Sequence, residues 1–323
     1  MTMARPSFKI TSGAPGSDLA GETAAALAAS AIYFRNQLDY AYVDNCLNHA
    51  TQLLDFADKY RGKYTESIPA GGFYESWSGY NDELAVWTAA WVAKATGDQA
   101  DIDKAESLYT EMDAGDANPS EISWDDKWAM TFLMMYDISG KDIYKAKVDA
   151  FMHYILSAPR TPKGLIWIPS SEWGSLPYAA HFAMKAMQSG HLGIMSQEAF
   201  DFAESQMNYI LGDGAGHSYV VGLENDPPQR PHHRAASCPD RPAKCDWDNY
   251  QSQDPNPQVL NGALVGGPNQ NDVWWDDRTN FQVTVYFILC YNILYYAFQT
   301  NEVTDDYNAG FQTALAAVNQ AFN

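Results

Sequence analysis

The spacing of apolar residues along the first two thirds of the chain predicts helices. The alanine-rich segment 17–36, with Ser17 or Asp18 as its N-cap, is the first of them. None of this spacing needs the period of two that marks a strand, so the predicted fold class is all-α. The second helix has its apolar stripe at Val43, Cys46, Leu47, Ala50, Leu53, Leu54 and Ala57, and the third has Leu84, Trp87, Trp91 and Ala95 on one face.

Three glycines divide the helical patterns into hairpins. Gly97, Gly140 and Gly190 each end one pattern and precede another, which predicts glycine C-caps. The helices that follow them are centred on 102–108, 148–155 and 202–211. Longer loops between the hairpins hold Tyr74, Trp77, Trp124, Trp167 and Trp173. Because these long loops alternate with short turns, we expect them on one rim of a ring of helical hairpins.

The helical pattern ends near Leu211. The Pro- and Gly-rich stretch 212–281 that follows is too long for an ordinary loop in a compact domain, and such stretches usually serve function. Within it, Cys238 and Cys245 bracket a short Pro-rich loop, which predicts a local disulfide if the protein is secreted. Cys46 continues an apolar helix face and is predicted to be a core residue.

Composition narrows the class of partner. The 323 residues, 46% of them hydrophobic, predict one large domain over 1–323. Forty acidic against twenty basic residues give a net charge of -20, which disfavours nucleic acid and anionic membranes and leaves a neutral polymer or a cation as partner. The first residues lack the apolar core of a signal peptide, so either the protein is cytosolic or its true start is missing.

The stretch from Asn271 to Gly310 holds the candidate chemistry. Carboxylates stand on both sides of an apolar run, close in sequence to Trp274, Trp275 and Tyr307. Aromatic faces stack on sugar rings, while carboxylates bind hydroxyls and transfer protons. A sugar site is one interpretation of this pattern, and a solvated acidic loop is the other.

Several motifs together carry a family resemblance. They are Phe73-Tyr74-Glu75-Ser76-Trp77-Ser78-Gly79-Tyr80-Asn81-Asp82-Glu83-Leu84, Ser218-Tyr219-Val220-Val221-Gly222, Pro231-His232-His233-Arg234, Gly262-Ala263-Leu264-Val265-Gly266-Gly267-Pro268, and Asn301-Glu302 with Tyr307-Asn308-Ala309-Gly310. With them the chain resembles the catalytic module of glycoside hydrolase family 9, the inverting β-1,4-glucanases, from about Met3 to the C-terminus. The resemblance implies an (α/α)6 toroid, incomplete at its N-terminus. It also implies a secreted endoglucanase that needs no cofactor for its chemistry and cleaves cellulose or related β-glucans.

The resemblance also assigns roles to individual residues. Glu302 is implied as the general acid, which protonates the leaving glycosidic oxygen. Asp276 falls on the second active-site signature. The other implied roles are hydroxyl binding and acid orientation for His232 and Arg234, contact with the cleaved subsite for Tyr307, and glucose stacking for Trp77 and Trp173. Without the family, His232 and His233 could be a surface patch or a metal site, although adjacent histidines seldom share one ion.

A structural calcium site is implied as well. Ser78, Gly79, Asp82, Glu83 and Asp125 match a site found in some family members, where hard oxygen ligands come from a turn and from carboxylates. Such an ion would join two hairpins and take no part in the chemistry.

The chain departs from the family at the catalytic base. Inversion requires a second carboxylate, which the family provides in an Asp-Ala-Gly-Asp motif expected upstream of Met1. The same tetrapeptide at 113–116 stands on the wrong side of the other motifs, and we interpret it as a coincidence. The polypeptide alone is therefore predicted to be inactive. Loss of the N-terminal hairpins would open the toroid and expose apolar helix faces, so poor stability is predicted as well. The alternative function is that of a noncatalytic β-glucan-binding protein.

A second departure is the apolar insertion 283–299. Phe281-Gln282 and Phe298-Gln299 repeat at its ends, and removing it restores a normal family sequence. Our hypothesis is a retained intron or a gene-model error. A transmembrane helix is the alternative, but the run is short and has no basic flanks.

Overall fold

The computed structural model describes residues 6–70, 74, 76–77, 79–279, 283–284, 294–295 and 300–322. Two compact units are distinguished, one within 4–151 and the other within 152–323 together with residues 1–3. Each is treated by itself below. The single domain predicted over 1–323 stays a prediction.

The first unit is built from helical hairpins. Its helices are α1 (Ser17–Asn36), α2 (Tyr40–Lys59), α3 (Tyr64–Ser67), α4 (Glu83–Thr96), α5 (Gln99–Glu111) and α6 (Trp128–Ser139), and α7 (Asp142–Ser157) follows. Helix α1 packs against α2 and α4, and α4 packs against α5 and α6. Fully buried alanines such as Ala24, Ala28 and Ala31 let α1 lie close to its neighbours. The stripe predicted for α2 is buried at Val43, Cys46, Ala50, Leu54 and Ala57.

The predicted cap of α1 is wrong. Gly16 is the N-cap residue, and no side chain caps the helix. Ser17 and Asp18 lie within the first turn, where they bind the segment before α3. The Ser17 hydroxyl donates to the Gly62 carbonyl at 3.1 Å, and the Asp18 carboxylate accepts from the Tyr64 N–H at 2.9 Å. The side chains that resembled caps thus form tertiary contacts, which local sequence does not reveal.

Two of the three predicted glycine caps are confirmed. Gly97 and Gly140 end α4 and α6 in the left-handed conformation, with φ of 74° and 66°. Gly190 is not a cap, because it lies inside a helix that continues to His191. A Cβ at Gly190 would come within 2.5 Å of the Phe200 ring. Gly190 therefore allows its own helix to pack closely against the helix that carries Phe200.

The second unit contains the longest irregular segment. Its helices are α8 (Ser175–His191), α9 (Ser196–Leu211), α10 (Trp247–Gln251) and α11 (Asp305–Phe322), and α8 packs against both α9 and α11. Between α9 and α11 only the short α10 interrupts the loops of residues 212–279, as expected. The disulfide predicted between Cys238 and Cys245 is present, with Cα atoms 5.2 Å apart. Cys46 is buried and free, as predicted.

Most of the insertion lies outside the described residues. The four residues that are described form two short antiparallel strands, β1 (Val283–Thr284) and β2 (Leu294–Tyr295). Their pairing differs from the single continuous helix that a membrane span over 283–299 requires. No helix formed by the described part of the chain is long and apolar enough to cross a bilayer.

Gly310 sets the distance between α11 and α8. A Cβ at this position would lie 2.7 Å from Cδ2 of His181 and 2.9 Å from the His181 backbone nitrogen. Such contacts with ring and backbone cannot be relieved by a flexible side chain. The position of α11, which carries Tyr307, therefore depends on this glycine.

We expect Gly310→Ala to lower the free energy of unfolding by about 1–3 kcal/mol, the usual cost of overpacking. Urea denaturation measures this change in the free energy of unfolding. Gly115→Ala is the matched control, since a Cβ there meets nothing within 4 Å. Equal unfolding midpoints for the two variants would contradict the close helix contact.

Candidate active site

The backbone that leads into Glu302 is held by two loops. The Thr300 carbonyl accepts hydrogen bonds from the Gly267 N–H at 2.9 Å and from the Trp274 indole N–H at 3.1 Å. The Trp274 ring stacks on His217, with centroids 4.8 Å apart. Trp274, which the sequence associated with a sugar site, therefore supports the segment that precedes Glu302.

Asn301 connects Glu302 to further loops. Its side chain is fully buried, and its amide donates to the carbonyls of Trp275 and Asp277, the latter at 3.2 Å. The backbone carbonyl of Asn301 accepts a hydrogen bond from the backbone N–H of His232 at 2.7 Å. Because His232 and Glu302 form a parallel bridge, the backbones of these two predicted site residues are adjacent.

The Glu302 carboxyl group is bound through one of its oxygens. Oε2 accepts from the Trp173 indole N–H at 3.2 Å and from the Tyr307 hydroxyl at 3.1 Å. Tyr307 is buried, whereas Trp173 is 51% exposed. Among the residues with described positions, none hydrogen-bonds Oε1. When the carboxyl group is protonated, its proton therefore lies on Oε1, because Oε2 already receives two donors.

His232 has a defined tautomer. Its Nδ1 lies 2.9 Å from the Arg278 carbonyl oxygen and 2.9 Å from the Tyr250 hydroxyl. A carbonyl oxygen can only accept, so Nδ1 must carry the proton. In the neutral ring, Nε2 then keeps the lone pair and can accept a hydrogen bond from a hydroxyl group.

His233 and Arg234 differ from His232 in their surroundings. Nδ1 of His233 accepts from the Ala236 N–H at 3.1 Å, so the neutral ring carries its proton on Nε2. Burial lowers the pKa of His233, and the charge of Arg234 lowers it further. Arg234 is exposed, and its guanidinium makes no ion pair within the described ranges. That group is therefore available to hydroxyl oxygens of a ligand.

Asp276 is engaged by the loop before His232. Its carboxylate accepts from the backbone N–H groups of Gln229 and Arg230, both at 2.9 Å, and pairs with the Arg230 guanidinium at 3.2 Å. Both oxygens are thus occupied. These contacts are those of a residue that orders a loop, and sequence reasoning did not anticipate them.

Tyr250 and Arg278 are site residues that sequence reasoning missed. Arg278 is 1% exposed and donates to backbone carbonyls of the α10 region. Its position beside Asp276-Asp277 in the candidate stretch was the only signal in the sequence. The sequence around Tyr250 gave no such signal, because its contact with His232 depends on how the long irregular segment folds.

The implied calcium residues lie in the first unit, where Ser78 is outside the described residues. Glu83 is 3% exposed, and burial raises its pKa to about 8, helped by the charge of Asp82. Burial also raises the pKa of Asp82, with Asp125 adding repulsion. Carboxylates that repel one another in this way suit a cation with a preference for oxygen. Within the described part, however, no three His, Cys, Asp or Glu side chains form a group that could hold a metal.

Trp77 also belongs to the first unit and is 74% exposed. Its backbone N–H donates to the Asp125 carboxylate at 3.2 Å, and its carbonyl accepts from Lys63. Its indole is therefore held in an exposed position by the backbone around it. The glucose-stacking role of Trp77 stays a prediction.

Comparison with known proteins identifies the family. The profile of glycosyl hydrolase family 9 matches residues 1–288. Endoglucanase B of Cellulomonas fimi is 39% identical, over 98% of this chain and 29% of its own length, so the chain spans less than a third of that relative. The solved endoglucanase of the termite Nasutitermes takasagoensis is 45% identical with a TM-score of 0.88, covering 100% of this chain and 70% of that one. A cellulase of C. cellulolyticum in complex with cellobiose is 30% identical with a TM-score of 0.81, covering 100% and 69%. With these matches and the motifs gathered around Glu302, the chain belongs to glycosyl hydrolase family 9.

Proposed function

We propose that this chain carries the acid side of an inverting endo-β-1,4-glucanase site. The substrate is cellulose or a related β-glucan, cleaved at internal bonds. The observation that carries the proposal is the one-sided binding of the Glu302 carboxyl group. Trp173 and Tyr307 hold Oε2 and leave Oε1 to carry the transferable proton.

Glu302 acts by donating that proton. As the bond between C1 and the glycosidic oxygen breaks, the proton moves from Oε1 to the leaving oxygen, and Glu302 becomes a carboxylate. The two neutral donors on Oε2 then stabilise the new negative charge without having to reorient. General acid catalysis of this kind contributes about 10²- to 10⁴-fold to the rate.

The neighbouring residues bind and order the substrate. His232 accepts a hydrogen bond from a sugar hydroxyl at Nε2, and the exposed Arg234 guanidinium donates to hydroxyl oxygens. The exposed Trp173 indole offers a face for a glucose ring while its N–H holds the acid. Asp276 fixes the loop at Gln229 and Arg230 and is a positioning residue in this proposal.

The catalytic base can be tested by chemical rescue. Inversion needs a carboxylate that activates water on the face opposite the acid, and none of the residues described above is assigned to this role. Azide, a small anion, can attack C1 from that face in place of water. We expect the purified chain to turn over cellohexaose slowly without azide and faster with it, giving the inverted α-glycosyl azide, which NMR identifies.

Each outcome of the rescue experiment separates the candidates. Fast hydrolysis without azide supports the glucanase and refutes the prediction that this polypeptide lacks the catalytic base. Binding of cellohexaose without turnover in either condition supports the noncatalytic binding protein. If the chain neither binds nor cleaves cellohexaose, the proposed function is refuted.

We also propose a structural calcium ion held by Gly79, Asp82, Glu83 and Asp125 together with Ser78. The raised pKa values of Asp82 and Glu83 support it, since a bound cation would relieve the repulsion between these carboxylates. Secretion, the family's usual location, is a further proposal. It agrees with the Cys238–Cys245 disulfide, because such bonds persist in oxidising compartments.

The calcium proposal predicts a pH-dependent stabilisation. The pKa of Glu83 rises from 4.5 to about 8 on folding, so the folded state binds more protons than the unfolded state in this window. Without metal, this group makes the protein less stable as the pH rises from about 4.5 to 8. Calcium must displace that proton, so we expect its effect on Tm to be larger at about pH 8 than at about pH 5.

Asp82→Asn is expected to remove most of the calcium effect, as measured by thermal melting. Asp44→Asn, at an exposed position of α2, is the control and should keep it. An identical calcium response in both variants, or none in the parent chain at either pH, would rule out the site.

A further inference from the structure

We propose that Tyr250 and Arg278 form a positioning pair that fixes the tautomer and ring orientation of His232. This inference rests on the proposed function, because it gives His232 a fixed role as hydrogen-bond acceptor for a sugar hydroxyl. It concerns two residues for which neither the motifs nor the family profile gave a role.

Three hydrogen bonds form a closed triangle around Nδ1 of His232. Nδ1 lies 2.9 Å from both the Arg278 carbonyl and the Tyr250 hydroxyl, and that hydroxyl lies 3.1 Å from the same carbonyl. The carbonyl can only accept, so the tyrosine hydroxyl donates a hydrogen bond to the carbonyl and accepts one from Nδ1–H. This arrangement satisfies all three groups at once. The opposite tautomer would place the Nδ1 lone pair against the carbonyl lone pairs.

The tyrosine is suited to this role because it stays neutral. Tyr250 is 6% exposed, and burial raises the pKa of its hydroxyl. Tyr250 therefore keeps its hydroxyl proton and remains a hydrogen-bond donor. The two rings meet nearly edge to face, at 81° with centroids 5.7 Å apart, which restricts rotation of the imidazole.

Arg278 brings the tyrosine to the histidine. Its guanidinium donates to the carbonyls of Tyr250 at 3.0 Å and Asp254 at 2.9 Å, and it also bonds the carbonyls of Asn249 and Ser252. Burying a cation among carbonyls is expensive, and burial lowers the pKa of Arg278. The same residue thus binds the α10 segment with its side chain and His232 with its carbonyl. One residue sets the distance between Tyr250 and His232.

The consequence for binding is a fixed hydrogen-bond direction. With Nδ1 protonated, the neutral ring offers Nε2 only as an acceptor, so it selects a ligand group that donates, such as a sugar hydroxyl. If the ring could exchange tautomers, part of the population would present an N–H to the same group. The pair therefore raises the fraction of protein that is competent to bind.

Nitrogen NMR of the full chain tests the pair directly. With histidines labelled with nitrogen-15, His232 is assigned by its loss in His232→Gln. We expect the parent chain to show Nδ1 protonated and Nε2 unprotonated in the neutral ring. Tyr250→Phe should move both shifts toward a mixture of tautomers, whereas Tyr33→Phe, at an exposed position of α1, should leave them unchanged.

Titration with cellohexaose gives the second readout. We expect Tyr250→Phe to weaken binding about 2- to 12-fold, the effect of losing one hydrogen bond that favours the Nδ1-protonated tautomer, with only a small decrease of the unfolding midpoint in urea. If His232 is protonated at Nε2 in the parent chain, or if Tyr250→Phe changes neither the shifts nor the affinity, the pair is refuted. If the shifts change but the parent chain does not bind cellohexaose, the pair stands and the proposed function fails.

Discussion

Glu302→Gln is expected to lower kcat on cellohexaose by about 10²- to 10⁴-fold, measured with or without azide, whichever condition supports turnover. Glutamine keeps an acceptor oxygen for Trp173 and Tyr307 but has no proton to give to the glycosidic oxygen. The loss should therefore fall on kcat, while KM changes little.

The leaving group distinguishes a lost acid from a damaged fold. The dinitrophenolate group of a dinitrophenyl cellobioside departs without protonation. Glu302→Gln should therefore lose far less activity on this substrate than on cellohexaose. Glu198→Gln, at an exposed position of α9, is the control and should behave like the parent chain on both substrates. Equal losses on both substrates would mean that Glu302 is not the proton donor.

Asn301→Ala is expected to lower the free energy of unfolding by about 2–4 kcal/mol. The substitution leaves the half-buried carbonyls of Trp275 and Asp277 without the donor they share, and it opens a small cavity beside them. The backbone carbonyl of Asn301 accepts the His232 N–H, and its chain continues directly into Glu302. A shift of this segment after loss of the side-chain contacts should therefore also weaken cellohexaose binding.

Urea denaturation and calorimetric titration measure the two effects of Asn301→Ala. Asn208→Ala, at an exposed position of α9, is the matched control and should stay within about 0.5 kcal/mol of the parent chain. An unfolding midpoint for Asn301→Ala equal to that of Asn208→Ala would show that the buried amide is not needed to hold the segment before Glu302.

The fold class was accessible from sequence because it depends on local periodicity. The all-α prediction is confirmed, and the likeness to solved family 9 endoglucanases confirms the (α/α)6 class. Gly97 and Gly140 were assigned correctly, since a C-cap depends on neighbours within one turn. Gly190 was not, because its role is set by Phe200 of another helix. Sequence spacing carries no record of that contact.

The candidate site likewise contains some residues that the sequence indicated and others that it did not. Glu302, His232 and Tyr307 belong to short motifs, so the family resemblance identified them, and the structure brings them together. The contacts of Asp276 with Gln229 and Arg230 span 46 residues and more, and no local pattern indicates them. Tyr250 lies on the short helix α10, and its position depends on the guanidinium of Arg278.

The hydrogen bond from Trp173 to Glu302 also has a spectroscopic consequence. The indole is 51% exposed, and its N–H donates to Oε2 of Glu302, the residue proposed as the proton donor. A change in that carboxyl group alters the electrostatic surroundings of one fluorophore. The emission of Trp173, isolated as the difference between the parent chain and Trp173→Phe, therefore reports changes at the Glu302 carboxyl group. The protein thus contains an intrinsic optical probe of its proposed proton donor.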